Sequence, residues 1–267
     1  MTPSRIFDIL SIQRKKKPLH RCLNDKKNGK WETLSTQKYY ESANLISAAF
    51  IEIGIKPQDK IALISSNNRS EWSIIDMAIL QLGAITVPLY PNISSNDYKY
   101  ILNHSESVYC FVSDQHIYDK VFSIKSEVKM LKEIYTFDVI EGSKNWSELL
   151  SIGKKTWNKK KIEEVKLNVE SESIATIIYT SGTTGVPKGV MLSHDNIVSN
   201  VISATKKFPF ENSNQKALSF LPLCHIFERT FIYGYLFNDI EVYFAESLDT
   251  ISENLKEVKP NFMTAVP

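Results

Sequence analysis

Tyr179 to Val190 reads "YTSGTTGVPKGV" and places Gly182, Gly185 and Gly189, three of only 9 glycines in the chain, among hydroxyls and a single lysine. Glycine removes the side chain that would hold a ligand off the backbone, and successive N–H groups in such a turn form a concave anion nest. Thr180, Ser181, Thr183 and Thr184 add hydroxyl donors, Lys188 adds a full positive charge, and Pro187 restricts the chain just before it. A polyphosphate is the anion matched to many donors and one ammonium, since each hydrogen bond to a charged group contributes about 1.5–3 kcal/mol. Two common nucleotide loops are excluded. The NTPase loop needs G-x-x-x-x-G-K-[ST] opening a helix, whereas here Pro187 precedes the lysine and Gly189 follows it, and G-x-G-x-x-G is missing. The bland alternative is a glycine-rich turn between strands with a solvated lysine. Ten consecutive positions suited to phosphate outweigh it.

Other residues carry weaker signals. His225 in "LPLCHIFER" reads equally as a packed histidine at a strand end or as a site group, and His194, after Ser193, reads as helix capping. Trp72, Tyr90, Phe227, Phe231, Tyr233, Tyr235 and Phe237 read as core rather than as a ligand tunnel. Cys22, Cys110 and Cys224 are scattered, odd in number and lack CxxC spacing, which fits neither a disulfide framework nor a zinc site and favours a reducing, cytoplasmic location.

The elements that must position the loop alternate between two periods, and the fold class expected is α/β. From Lys60, "KIALISS" is a strand, and "NNRSEWSIIDMAILQL" a helix with Asn68 as N-cap and Glu71 three residues on. "AITVPLY" is the next strand, then a helix capped by Ser94 or Ser95, then the strand "SVYCFVSD". This βαβαβ run predicts a doubly wound parallel sheet that binds ligands at the carboxyl ends of its strands. "EIYTFD" and "NWSELLSIGKK" continue it weakly, and the charge-dense "KKTWNKKKIEEVKLNVESES" reads as a surface connection. Beyond it come the strand "SIATIIY", the loop, the strand "GVMLS" and a helix from Asp195 to about Lys206. A second αβ unit follows through "KALSFLPLCHIF", "ERTFIYGYLF", "IEVYFAES" and "DTISENLKEVK", with Thr250 and Glu253 as a capping box. The expected division is a first subdomain over about 58–206, holding the loop, and a second made of about 1–57 with 207–267. "NFMTAVP" reads as a strand, and stopping there reads as a cut through a domain.

Lys+Arg 32 against Asp+Glu 30, a net charge of +2, lacks the footprint of a nucleic-acid binder, so no nucleic-acid partner is expected. The N-terminal apolar patch is broken by Asp8, and the basic run Arg14 to Lys17 reads as a solvated turn. No run reaches the roughly 18 apolar residues of a membrane span, so membrane contact is expected to be peripheral at most.

"YTSGTTGVPKGVMLSHDN" resembles the phosphate-binding signature of the AMP-forming acyl and aryl ligases: acyl-CoA synthetases, luciferases and peptide-synthetase adenylation domains. The likeness runs from about Leu34 through "GAITVPLYPN", "LSFLPLCHIFERT" and "DTISENLKEVKPNFMTAVP", and "LPLCHIFER" is most similar to long-chain fatty acid CoA ligases. The resemblance implies two αβ subdomains of an adenylate-forming N-terminal domain. It also implies a reaction in which a fatty acid carboxylate attacks ATP with Mg²⁺ present, giving acyl-adenylate and pyrophosphate, after which coenzyme A displaces AMP. By the same resemblance Thr180, Ser181, Gly182, Thr183, Thr184, Gly185, Lys188 and Gly189 hold the phosphates, Thr180 helps ligate Mg²⁺, Lys188 and His225 are catalytic, His225 and Glu228 lie at the acyl and adenylate site, and Glu228 and Arg229 belong to the branch motif. The family's adenine and ribose motifs, hinge and C-terminal lid domain have no counterpart here, so the expectation is a partial AMP-binding domain inactive by itself. A non-catalytic nucleotide-binding module, or adenylation of an aryl or amino acid, are the alternatives.

Overall fold

The computed structural model describes residues 2–180, 186–208 and 214–266. In chain order the elements are α1 (Ile6–Lys16), β1 (Leu23–Lys27), β2 (Lys30–Leu34), α2 (Thr36–Glu52), β3 (Lys60–Ile64), α3 (Ser70–Gln81), β4 (Ile85–Leu89), α4 (Ser95–His104), β5 (Ser107–Val112) and α5 (Gln115–Ser123). Then follow β6 (Glu133–Thr136), β7 (Lys144–Asn145), α6 (Ser147–Thr156), α7 (Lys159–Leu167), β8 (Ile174–Thr180), β9 (Lys188–Ser193) and α8 (His194–Thr205). The last are β10 (Lys216–Ser219), α9 (Ile226–Phe237), β11 (Glu241–Phe244), α10 (Ile251–Val258) and β12 (Phe262–Met263).

The chain divides into two compact units: residues 44–66 with 75–193, and residues 1–43 with 67–74 and 194–267. The loop-bearing unit holds a sheet of order β7-β6-β5-β3-β4-β8-β9, parallel except for the antiparallel pair β8/β9. Strand order reverses at β3, which has β4 on one side and β5 on the other, so the sheet is doubly wound as expected. β4 and β5 are buried at every position because helices cover both faces, which is why they read as unbroken apolar runs. Ser94 caps α4 with a full capping box against Asp97.

The other unit holds the sheet β12-β10-β11-β1-β2, parallel except for the β1/β2 hairpin. Asn28 and Gly29 turn that hairpin with φ of 51° and 73°, the left-handed pair that a two-residue turn matched to strand twist requires. Helix α8, expected with the loop, belongs instead to this unit, where Ile197, Val198 and Val201 are buried among α1 and α9.

Several local expectations change. The N-terminal patch is a helix: Asp8 does not interrupt α1 but closes its capping box on the Arg5 backbone, and Arg14, Lys15 and Lys16 fill its last turn, where the helix dipole favours cations. The charge-dense connection contains α7, capped by the Asn158 side chain and seated by buried Ile162 and Lys166. Asn68 does not cap α3. The first-turn N–H of Ser70 donates instead to Asp25 Oδ1 (2.9 Å), a strand residue 45 positions away. Thr250 makes no capping box with Glu253, since its hydroxyl is engaged by Ser247 and Asn254. Cys22, Cys110 and Cys224 are all buried. No helix among the described residues is long and apolar enough to cross a membrane.

Candidate active site

Thr180 ends β8 and Lys188 opens β9, and the two are direct partners in the antiparallel ladder. The loop expected to cradle phosphate therefore leaves and re-enters the sheet through a closed pair, at the carboxyl end of β8. Both residues are exposed, and Lys188 makes no ion pair among the described residues. Directly opposite residues on antiparallel strands share a face, so the hydroxyl and the ammonium flank the same mouth. Ser181, Gly182, Thr183, Thr184 and Gly185 lie outside the described residues.

Gly189 has a different reason from the one its sequence context suggests. It sits in extended backbone opposite Tyr179, and a Cβ there would come within 2.8 Å of Ile177 Cγ2 and 3.3 Å of the Tyr179 ring. The space a side chain would need there is taken by this chain's own side chains. The Tyr179 hydroxyl is 2.7 Å from His104 Nδ1, Tyr100 stacks on His104 with centroids 5.4 Å apart, and the Tyr100 hydroxyl donates to the Pro187 carbonyl (3.4 Å). Tyr100 and His104, one turn apart on α4, thus brace the base of the loop. Their i, i+4 aromatic spacing is legible in "DYKYILNH" once the helix is placed.

His225, Glu228 and Arg229 lie in the other unit. His225 is the N-cap of α9, exposed, with extended backbone (φ −80°, ψ 130°) and no side-chain capping bond, so it is not a packed core histidine. Glu228, expected at the substrate, is fully buried. One carboxylate oxygen accepts from Ser219 Oγ (2.5 Å) and the other from Thr264 Oγ1, so both are occupied by this chain. Burial raises its pKa to about 7, against the two hydroxyl bonds that pull it down. These two bonds tie Glu228 to Ser219 and Thr264 within its own unit. Arg229, also buried, donates through Nε to the Tyr233 hydroxyl (2.7 Å) and lies over the rings of Trp72 and Tyr233.

The residue that sequence reading misassigned is Asn68. Its Nδ2 donates to Ser219 Oγ and to the Leu221 carbonyl, both at 2.8 Å, and its Oδ1 accepts from the Leu223 N–H (3.2 Å). One side chain fixes the segment that leads to His225, across about 150 positions of sequence that no local pattern bridges. His194 is fully buried, not a cap: its Nδ1 accepts from the Ile6 N–H at the start of α1, and burial lowers its pKa to about 4.

A sequence profile of the AMP-binding enzyme family matches residues 10–267. The chain belongs to that family. Human long-chain-fatty-acid–CoA ligase ACSBG2 is 31% identical over 90% of this AMP-binding chain and 37% of its own length. Long-chain-fatty-acid–CoA ligase FadD15 of Mycobacterium bovis is 30% identical over 85% of the chain and 38% of its own length. The AMP-binding chain thus spans well under half of these curated relatives. Among solved structures, long-chain-fatty-acid-CoA ligase FadD1 of Archaeoglobus fulgidus superposes with a TM-score of 0.83 at 20% identity, over 100% of the chain and 52% of that structure. The N-terminal domain of FACL13 from Mycobacterium tuberculosis gives 0.82 at 18% identity, over 98% and 63%. The fold is that of the N-terminal domain of adenylate-forming ligases.

Proposed function

We propose that the chain is the AMP-binding part of a ligase that activates a long-chain fatty acid with ATP. The reaction forms acyl-adenylate and pyrophosphate, then acyl-CoA and AMP when the coenzyme A thiol attacks. The observation that carries this reading is the exposed pair Thr180 and Lys188, facing each other across the mouth of a loop rich in glycine and hydroxyls. The loop amides and hydroxyls of Ser181 to Gly185 would bind the β- and γ-phosphates, and Lys188 would hold the charge that builds on pyrophosphate as it leaves. His225 would stand beside the carboxylate, on the segment that Asn68 fixes and at the positive end of α9. Glu228 keeps that helix in place from beneath.

The Thr180 hydroxyl, exposed at the end of β8, would help hold Mg²⁺, an ion that retains several waters, is bound largely through substrate phosphates and when bound would offset phosphate charge. The long-chain fatty acid ligases among the relatives favour an acyl substrate. An anthranilate CoA ligase also superposes with a TM-score of 0.80 over 97% of the chain, so the acid must come from assay rather than fold.

The test is ATP–pyrophosphate exchange with fatty, aryl and amino acids, on the protein in its full reading frame. Exchange with fatty acids that Lys188→Ala lowers about a hundredfold supports the proposal. Exchange indifferent to that change overturns the loop assignment, and exchange with aryl or amino acids alone moves the substrate class. Saturable ATP binding with no exchange for any acid would make the protein a nucleotide-binding module.

A further inference from the structure

Residues 154–161 read "KKTWNKKK", five lysines and no acid in eight positions around Trp157. The segment is the exposed tip where α6 gives way to α7, with Lys154 and Lys155 in the last turn of α6 and Lys159, Lys160 and Lys161 in the first turn of α7. All five lysines are exposed, and none forms an ion pair among the described residues. The next acid along the chain, Glu163, is taken by Lys166 at 3.2 Å.

Two features separate this tip from an ordinary solvated basic run. Cations belong at the end of a helix and are disfavoured at its start, where the dipole is positive. Lys154 and Lys155 obey that rule. Lys159, Lys160 and Lys161 break it, and no acid shares their turn. A local rule broken without internal compensation marks a functional surface. The second feature is Trp157, 44% exposed and the only tryptophan of the chain's 4 among the exposed large apolar residues. Indole with flanking lysines is the pairing that settles at the headgroup level of a bilayer, ring toward the acyl region and ammonium groups toward phosphate.

The tip is carried rigidly. Gly153 packs so closely that a Cβ would lie 2.0 Å from the Leu45 carbonyl oxygen, Ile162 is buried, and Lys166 Nζ donates to Asn44 Oδ1 at 2.7 Å. The contrasting run, Arg14 to Lys17, sits at the dipole-compatible end of α1, with Arg14 laid over the Tyr40 ring at 4.2 Å. A net charge of +2 gives the chain little general attraction to anions, so affinity would be concentrated on the tip.

We propose that the α6–α7 tip docks on an anionic phospholipid surface, with Lys154, Lys155, Lys159, Lys160 and Lys161 on the headgroups and Trp157 inserted between them. The test is co-sedimentation of the full chain with vesicles of phosphatidylcholine alone and of phosphatidylcholine mixed equally with phosphatidylserine. Binding is expected to the mixed vesicles only, and to weaken with salt. At low salt each lysine removed weakens partitioning about fivefold, so Lys159→Ala, Lys160→Ala and Lys161→Ala together weaken it about a hundredfold. Trp157→Phe should abolish the vesicle-induced blue shift of indole emission. Substituting Lys15, Lys16 and Lys17 by Ala should leave binding unchanged. The tip variants change exposed positions, and the triple relieves a charge conflict, so it should unfold at the same or higher urea concentration than the parent. Equal binding to neutral vesicles, a tip triple that binds like the parent, or equal loss in the α1 triple overturns the proposal. So does binding of an RNA oligomer with no binding of mixed vesicles.

Discussion

Lys188 and Glu228 are the two charged side chains expected at the site, and their surroundings are opposite. Lys188 stands in solvent at the first position of an edge strand, held there by the β8/β9 ladder. Glu228 has no exposed surface and joins α9 to Ser219 at the end of β10 and to Thr264 just past β12. A charge left in water is available to a ligand and contributes little to stability. A carboxyl whose two oxygens are both engaged internally has its chemistry committed to architecture. The contrast separates the group that would meet a phosphate from the group that holds the scaffold under His225.

The largest expected effect sharpens that difference directly. Glu228→Ala leaves two buried hydroxyl donors without an acceptor and opens a void, and should lower the unfolding free energy by about 3 kcal/mol. Lys188→Ala should stay within about 0.5 kcal/mol of the parent in the same urea titration; similar losses for both would dissolve the distinction. A second measurement uses pH. The folded pKa of Glu228, about 7, lies above its ordinary value of 4.5, so between those limits the folded state binds more protons. Its contribution to stability is therefore complete below about pH 4.5 and is lost as pH rises toward 7. Glu228→Gln, which does not titrate, should flatten that part of the stability profile; an unchanged slope would mean that the carboxyl does not hold its proton.

The loop base gives smaller effects. Gly189→Ala places a methyl against Ile177 and should cost about 2 kcal/mol. In an Ile177→Ala background most of that cost should vanish, and a double-mutant cycle showing strict additivity would refute the packing explanation. Tyr179→Phe removes the hydroxyl that meets His104 and should cost about 1 kcal/mol, read by the same unfolding titration.

What the sequence made legible was local or periodic. The run β3-α3-β4-α4-β5 shows because strands covered on both faces are continuous apolar runs and because Ser94 and Asp97 cap within three residues. The glycine loop is proposed as a phosphate site because its chemistry is contiguous, and its residues 181–185 lie outside the described residues. What stayed hidden depends on distant partners. Asn68 resembles a helix cap until Ser219 and Leu223 are brought to it, and Asp25 does the capping from a strand. Lys166 reads as one more surface charge in a polar segment, yet its stem is buried and its ammonium bound to Asn44. Gly189 reads as part of a ligand cradle, and only the cross-strand register reveals that Ile177 and Tyr179 need its space. Helix α1 was obscured for another reason: its acid, Asp8, looked like an interruption of the apolar patch until the capping geometry gave it a place.

The burial of every sulfhydryl has a practical corollary. Cys22 and Cys224 are pushed up to about 12 and Cys110 higher still, all by burial, so the folded molecule should be silent to maleimide at neutral pH. A cysteine introduced at exposed Val186 would then be the one fast-reacting sulfur, without any background to engineer away. Its alkylation rate, with and without ATP, would act as a stopwatch on the rim of the glycine loop.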